Sequence, residues 1–125
     1  MAAVAPVITT SGPLKIATWG PLDGGDTGTV VDVRGTNQIM VISSGTFADD
    51  DDVEVKGAGS NQGAPGTAED WPDEFGQTIS IIATEEIHRL KANNLEYLTL
   101  VVNAGGIAGP SSIFITVVAL RTQDY

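Results

Sequence analysis

The sequence predicts an all-β protein, a single-domain β-sandwich of about eight strands, jelly-roll or Ig-like, with an extended N-terminal arm. Three observations predict it. Runs rich in Val, Ile and Thr are apolar either continuously or at alternate positions, as strands are. Among them fall 15 glycines and 6 prolines, which place turn signals roughly every 8–12 residues. Lys, Arg and Glu, the charged residues that favour helices, are scarce. With 125 residues, 42% of them apolar and 18% charged, the chain can bury a core and does not have the composition of a disordered one. The expected division is an arm over 1–13 and the sandwich over 14–125.

In order, the arm holds Val7, Ile8 and Thr9 between Pro6 and Pro13; such a segment can add to a sheet edge or to a neighbouring subunit. Residues 14–19 read as a strand with Leu14, Ile16 and Thr18 opposite Lys15, Ala17 and Trp19, followed by turn chemistry over 20–28. Residues 29–33 are the next strand. The stretch 38–61 is the most legible: Ile39, Met40, Val41 and Ile42 are continuously apolar, which suits a strand buried on both faces. Val53 and Val55 alternate with Glu54 and Lys56, which suits a half-exposed one. The four aspartates Asp49, Asp50, Asp51 and Asp52 between the two runs make an acidic turn, and the whole reads as a hairpin.

Residues 59–76 form the longest irregular piece, in which Trp71 and Phe75 are expected to pin a flap to the body. Residues 77–84 read as a strand. Residues 84–91 fit either a short helix capped by Thr84 or a short exposed strand. Residues 97–103 alternate Leu98, Leu100 and Val102 with Tyr97, Thr99 and Val101, and residues 111–120 form the longest apolar strand, placed centrally with Ile115 and Val117 on its inner face.

Sixteen acids against six Lys and Arg give a net charge of −10. Phosphate is repelled by such a surface, so nucleic acid is excluded as a partner, and anionic membranes are disfavoured likewise. The first six residues have no basic side chain and only a short apolar run, so no signal peptide is read there and synthesis in a cytoplasm is expected. With no cysteine, neither disulfides nor thiolate metal sites arise.

Catalytic constellations are sparse. His88 is the one histidine and reads as a surface or interface residue. The aspartate run lies on a turn, where paired carboxylates do not face each other across a cleft. Asp23 and Asp26 with Asp49 to Asp52 offer hard oxygens for calcium, but without the EF-hand spacing. No catalytic, cofactor or metal residue is therefore assigned.

The order of several landmarks carries a resemblance. Trp19, Pro21 and Leu22 lead into Gly25-Asp26-Thr27-Gly28-Thr29. Gly45-Thr46-Phe47 and a Val53-x-Val55 strand follow, running into Gly59-Ser60-Asn61 and then Trp71. Asp73 and Gly76 precede a short Ile-rich strand, Tyr97-Leu98 opens another, and a last apolar strand closes on Arg121. Over most of residues 14–121 this resembles the small head decoration, or cement, proteins of tailed bacteriophages. Two departures are the longer loop over 62–70 and the acidic turn.

The resemblance implies a non-enzymatic β-sandwich on the capsid exterior, made in the host cytoplasm and binding the major capsid protein; a homotrimer is expected, with a dimer as the alternative. Val7, Ile8, Thr9, Asp49, Asp50, Asp51, Asp52 and Trp71 are the candidate docking residues. The competing expectation is a carbohydrate-binding module that stacks sugars on Trp19, Trp71 and Phe75, with calcium on an acidic loop.

Overall fold

The computed structural model describes residues 2–48, 50–58, 69–91, 97–105 and 110–121. Eleven strands lie in these residues: β1 (Ala3–Val4), β2 (Val7–Ser11), β3 (Leu14–Leu22), β4 (Thr27–Asp32), β5 (Gln38–Thr46), β6 (Asp52–Ala58), β7 (Glu69–Asp70), β8 (Ser80–Ile81), β9 (Ile87–Arg89), β10 (Tyr97–Asn103) and β11 (Ser112–Leu120). They form two sheets. Sheet A runs β1-β4-β10-β6-β7, with β8 also on β6, and sheet B runs β2-β3-β11-β5-β9. Apart from the parallel pair of β1 with β4, every pairing is antiparallel.

The late strands insert between the early ones. β10 lies between β4 and β6, and β11 between β3 and β5. Strands alternate between sheets from β3 to β6 and again from β8 to β11, which is the double Greek key of a jelly roll rather than the hairpin-rich order of an Ig domain. The core fills the space between the sheets. Ala17, Trp19 and Leu22 of β3, Val41 of β5, and Ile113, Ile115 and Val117 of β11 meet Val31 of β4, Val53 and Val55 of β6, and Leu98, Leu100 and Val102 of β10. As expected, β11 is interior to its sheet, with Ile115 and Val117 turned inward.

Several expectations are corrected. Residues 38–61 are not a hairpin, because β5 belongs to sheet B and β6 to sheet A. Val41 and Val53 both face the core from opposite sides, so the acidic connection turns a corner between sheets. β11 and β10 supply the ladders that a hairpin would have used, with nine and seven paired positions respectively. β3 continues through the expected turn as far as Leu22, which is fully buried and pairs with Ile113.

Residues 84–91 contain no helix. Ile87, His88 and Arg89 pair with Ile42, Val41 and Met40, and the backbone of Ser43 bonds to that of Glu85 and Glu86. An open edge of β5 offered more backbone bonds than one isolated helical turn. Of 77–84 only Ser80 and Ile81 are strand. Of the expected arm, residues 2–13 are extended but not free: β1 lies along β4 and β2 along β3. Pairing satisfies backbone groups that a projecting arm would leave to water.

Two stability changes follow. Ile115→Ala, at a fully buried position, lowers the unfolding free energy by about 2–5 kcal/mol in denaturant titration. Gly28→Ala lowers it by about 1–3 kcal/mol through overpacking, because a Cβ at Gly28 falls 2.8 Å from Trp19 Cδ1.

Candidate binding surface

The expected docking residues separate into three groups. Trp71 is buried at 2% exposure; its amide donates to Val55 O and its Nε1 to Lys91 O at 2.8 Å. It anchors the described end of the 59–76 segment, of which 59–68 lie outside the described residues, while Phe75 is 80% exposed and pins nothing. Trp19 is also fully buried. Two of the three rings expected as sugar platforms are therefore core residues, and Trp71 offers no face to a partner.

The aspartates are mostly tied to the protein. Asp49 lies outside the described residues, and Asp50 is exposed with φ of 65°. Asp51 is buried. Its Oδ1 accepts from Gly105 N at 2.8 Å and its Oδ2 from Ser111 Oγ–H at 2.6 Å. Ser111 Oγ in turn accepts from Ala48 N, and Ser111 N donates to Asp23 Oδ1. Asp26 accepts from the amides of Asp23 and Ala2, and Asp52 from Ser80 Oγ and Asn103 Nδ2.

The two acidic loops considered for calcium thus meet at one end of the sandwich, where their oxygens face N–H and O–H donors. Among the described residues no group of three or more His, Cys, Asp and Glu is arranged to hold a metal ion. The amides of Ser111 and Gly24 hold the Asp23 carboxyl below its ordinary pKa, against a smaller opposing effect of burial. His88 Nε2 meets Glu86 Oε1 at 2.9 Å, and Glu86 Oε2 accepts from the amides of Ile82 and Ala83. For Glu86 burial is the largest effect and raises its pKa, but His88 and the two amides together outweigh it and leave it lowered.

The third group, Val7, Ile8 and Thr9, is exposed on β2, the edge of sheet B. It borders a surface that the sequence reading did not assemble. Paired residues share a face, so the register defines outward rows across sheet B. One row is Val7, Thr18, Thr116, Ile42 and Ile87. The next is Thr9, Ile16, Val118, Met40 and Arg89, and a third is Ser11, Leu14, Leu120 and Gln38. Phe114 beside Ser44 begins the row above.

Arg89 is the only charge in these rows. Val7 and Ile87 are 75% and 61% exposed, and Ile16, Ile42, Met40, Val118, Leu14 and Leu120 are half-buried in the single chain. A groove of about 360 Å³ opens at one end of the face; Leu14, Met40, Val118 and Leu120 line it together with Glu74 and Arg89. The sequence did contain the signal. Residues 39–42 and 111–120 are apolar at both parities, so each strand asks for cover on two sides, and the domain provides one.

No known protein family matches the sequence, and no curated protein matches it at a significant level. Solved structures match it in shape. A cupin domain from Bordetella pertussis Tohama I is 7% identical with a TM-score of 0.52, covering 97% of this chain and 96% of that one. The SPBc2 prophage-derived protein YomS is 15% identical with a TM-score of 0.53, covering 90% and 98%. A cupin superfamily protein from Desulfitobacterium hafniense DCB-2 is 8% identical with a TM-score of 0.51, covering 95% and 78%. At these identities the likeness is one of fold, two packed β-sheets spanning nearly the whole chain.

The carboxylates predict a pH response. Asp23, Asp32 and Glu86 all have folded pKa values below their ordinary ones. Their stabilisation is therefore complete above the unfolded carboxylate range, about pH 4, and is lost as pH falls through the folded values. In thermal melts Asp23→Asn flattens the acid limb below about pH 4 and lowers the neutral plateau, since the neutral amide oxygen accepts more weakly from Ser111 N than the carboxylate does.

Proposed function

We propose that this chain is a non-enzymatic structural protein of a phage particle, a decoration protein that binds the outer surface of the head and stabilises it. The observation that carries the proposal is the largely apolar outer face of sheet B, with Arg89 the only charge in its rows, bordered by the open edge β2, on a domain whose net charge is −10. That is a surface built for contact. The ordered landmarks from Trp19 to Arg121 support the same reading, as does the likeness in fold to a prophage-derived protein. The major capsid protein is the proposed partner, the chain acts as a homo-oligomer, and its place is the capsid exterior after synthesis in the host cytoplasm.

In this reading the shell meets the β2 edge. Val7, Ile8 and Thr9 are exposed, and the five residues of β2 hold no charge and no proline. An uncharged edge strand is a template for one more strand. The exposed acids contribute steering and salt sensitivity, since surface ion pairs are worth only about 0–1 kcal/mol each. Many equivalent sites on a shell multiply a modest single contact.

The test is co-sedimentation with emptied phage heads. The wild-type chain pellets with the heads. Ile8→Lys combined with Thr10→Lys, which charges the edge and leaves the outward rows intact, lowers occupancy at least about tenfold. Wild-type protein that stays in the supernatant at saturating heads overturns the proposal.

A further inference from the structure

We infer that the outer face of sheet B is the contact surface for a second copy of this chain, so that two protomers pack sheet against sheet about a two-fold axis. The inference deepens the homo-oligomer part of the proposed function and rests on that part alone, since it needs no contact with a shell.

Apolarity is the first argument. β5 and β11 have Ile39, Val41, Ile113, Ile115, Val117 and Ala119 on their inner parity, and Met40, Ile42, Phe114 and Val118 on their outer one. In an antiparallel sheet with one solvated face the outer positions are polar. Here eight of the fourteen positions in the three rows are Ile, Val, Leu or Met and three more are Thr, with only Ser11, Gln38 and Arg89 more polar, a composition close to that of a sheet face that packs against another sheet.

Charge selects the occupant. Sixteen acids against six Lys and Arg make most approaches of one copy to another repulsive. Around the outer face of sheet A stand Glu54, Asp70, Asp32 and Asp52, and at the loop end Asp23, Asp26 and Asp50. The outward rows of sheet B contain no acid, and the charges that two copies meeting there bring into the contact are Arg89 and, at the groove, Glu74, which are opposite in sign. With so few charges, the same face offers little pattern to complement a charged partner.

Size agrees. Five strands spaced about 4.8 Å apart, with outward rows about 6.8 Å apart, make a patch of roughly 24 by 20 Å. Pairing two such patches covers on the order of 1,000 Å² in total, which reaches the threshold for a specific interface. A flat face that meets its own copy is isologous and closes after two subunits. A three-fold ring needs two different complementary patches, so this surface favours a dimer over the expected trimer. Each copy also brings its groove between Leu14, Met40, Val118 and Leu120, which gives projecting apolar side chains of the other copy a place to enter.

Sedimentation velocity over a micromolar concentration series tests the inference, with Val118→Lys at the centre of the face and Thr116→Arg in the row beside it. Thermal melts of each variant check its folding. The wild-type chain sediments as two copies, and both variants weaken association at least about tenfold. If Val118→Lys fails to fold, Thr116→Arg decides, because that position is already polar and half-exposed. A monomeric wild type, a trimer, or a dimer that neither substitution weakens overturns the inference. Head co-sedimentation of the same variants separates the two readings. A monomeric wild type whose variants lose head binding assigns this face to the shell and overturns the second copy. A dimer sensitive to both substitutions that ignores heads supports this inference while the decoration reading fails.

Discussion

The rest of the structure depends on how Trp19 is held. It belongs to β3 of sheet B, yet its Nε1 donates to Thr29 O at 2.9 Å, on β4 of sheet A. Its ring lies against Gly28, whose missing side chain makes the space for it. The carbonyl of the same glycine accepts from Thr99 Oγ1 of β10, beside the register shift between Leu98 and Leu100. One indole therefore fixes the spacing of two sheets at the point where a third strand joins. Tryptophan suits this because a large apolar body comes with one donor that must be satisfied when buried. β10 lies beside β4 and β11 beside β3, so the central strand of each sheet adjoins a strand of this contact.

Acids and apolar groups divide the remaining work by location. At one end of the sandwich Asp23, Asp26 and Asp51 gather the backbone amides of loops that belong to no ladder, with Ser111 bonded to two of the three. Buried backbone donors need acceptors, and carboxylates supply them where the strands cannot. The acidic run that looks from the sequence like a solvated turn is thus partly a fastening. Asp51 is inside and tied at both oxygens, and Asp50 beside it is exposed. A string of identical residues does not say which member turns inward; that is decided by where Gly105 and Ser111 fall after β10 and β11 have paired.

The same limit explains which parts of the fold were legible. Strand character is local, so residues 97–103 and 111–120 read correctly, and so did the inward positions Ile115 and Val117. Partner choice is not local. β5 and β6 look like the arms of a hairpin because alternation describes a strand without naming its neighbour, and their true partners come late in the chain. The helix and strand readings of 84–91 differ by a few backbone bonds, and the free edge of β5 supplied them. The candidate surface was half legible: Val7, Ile8 and Thr9 sit at its margin, and the double-sided apolarity of 39–42 was visible. What was missing was the register that sets Ile42, Thr116, Thr18 and Val7 in one row.

The two outer faces of the sandwich obey the same strand geometry and have opposite chemistry. On sheet A, Lys56 pairs with Asp70 and Glu54, and Asp70 is the main reason its ammonium pKa is raised. Arg34 pairs with Asp32 and stacks over Tyr97 at 5.3 Å. Such exposed pairs add little stability, but they keep a sheet face wetted and hard to cover, since any partner must strip their hydration. Sheet B presents Thr, Ile, Val and Met in the matching positions. Stability of the single domain does not require this difference, because both inner faces are already full. A face that is costly to cover therefore stands opposite one that is costly to leave in water, and the two sides of the molecule differ in what it takes to bury them.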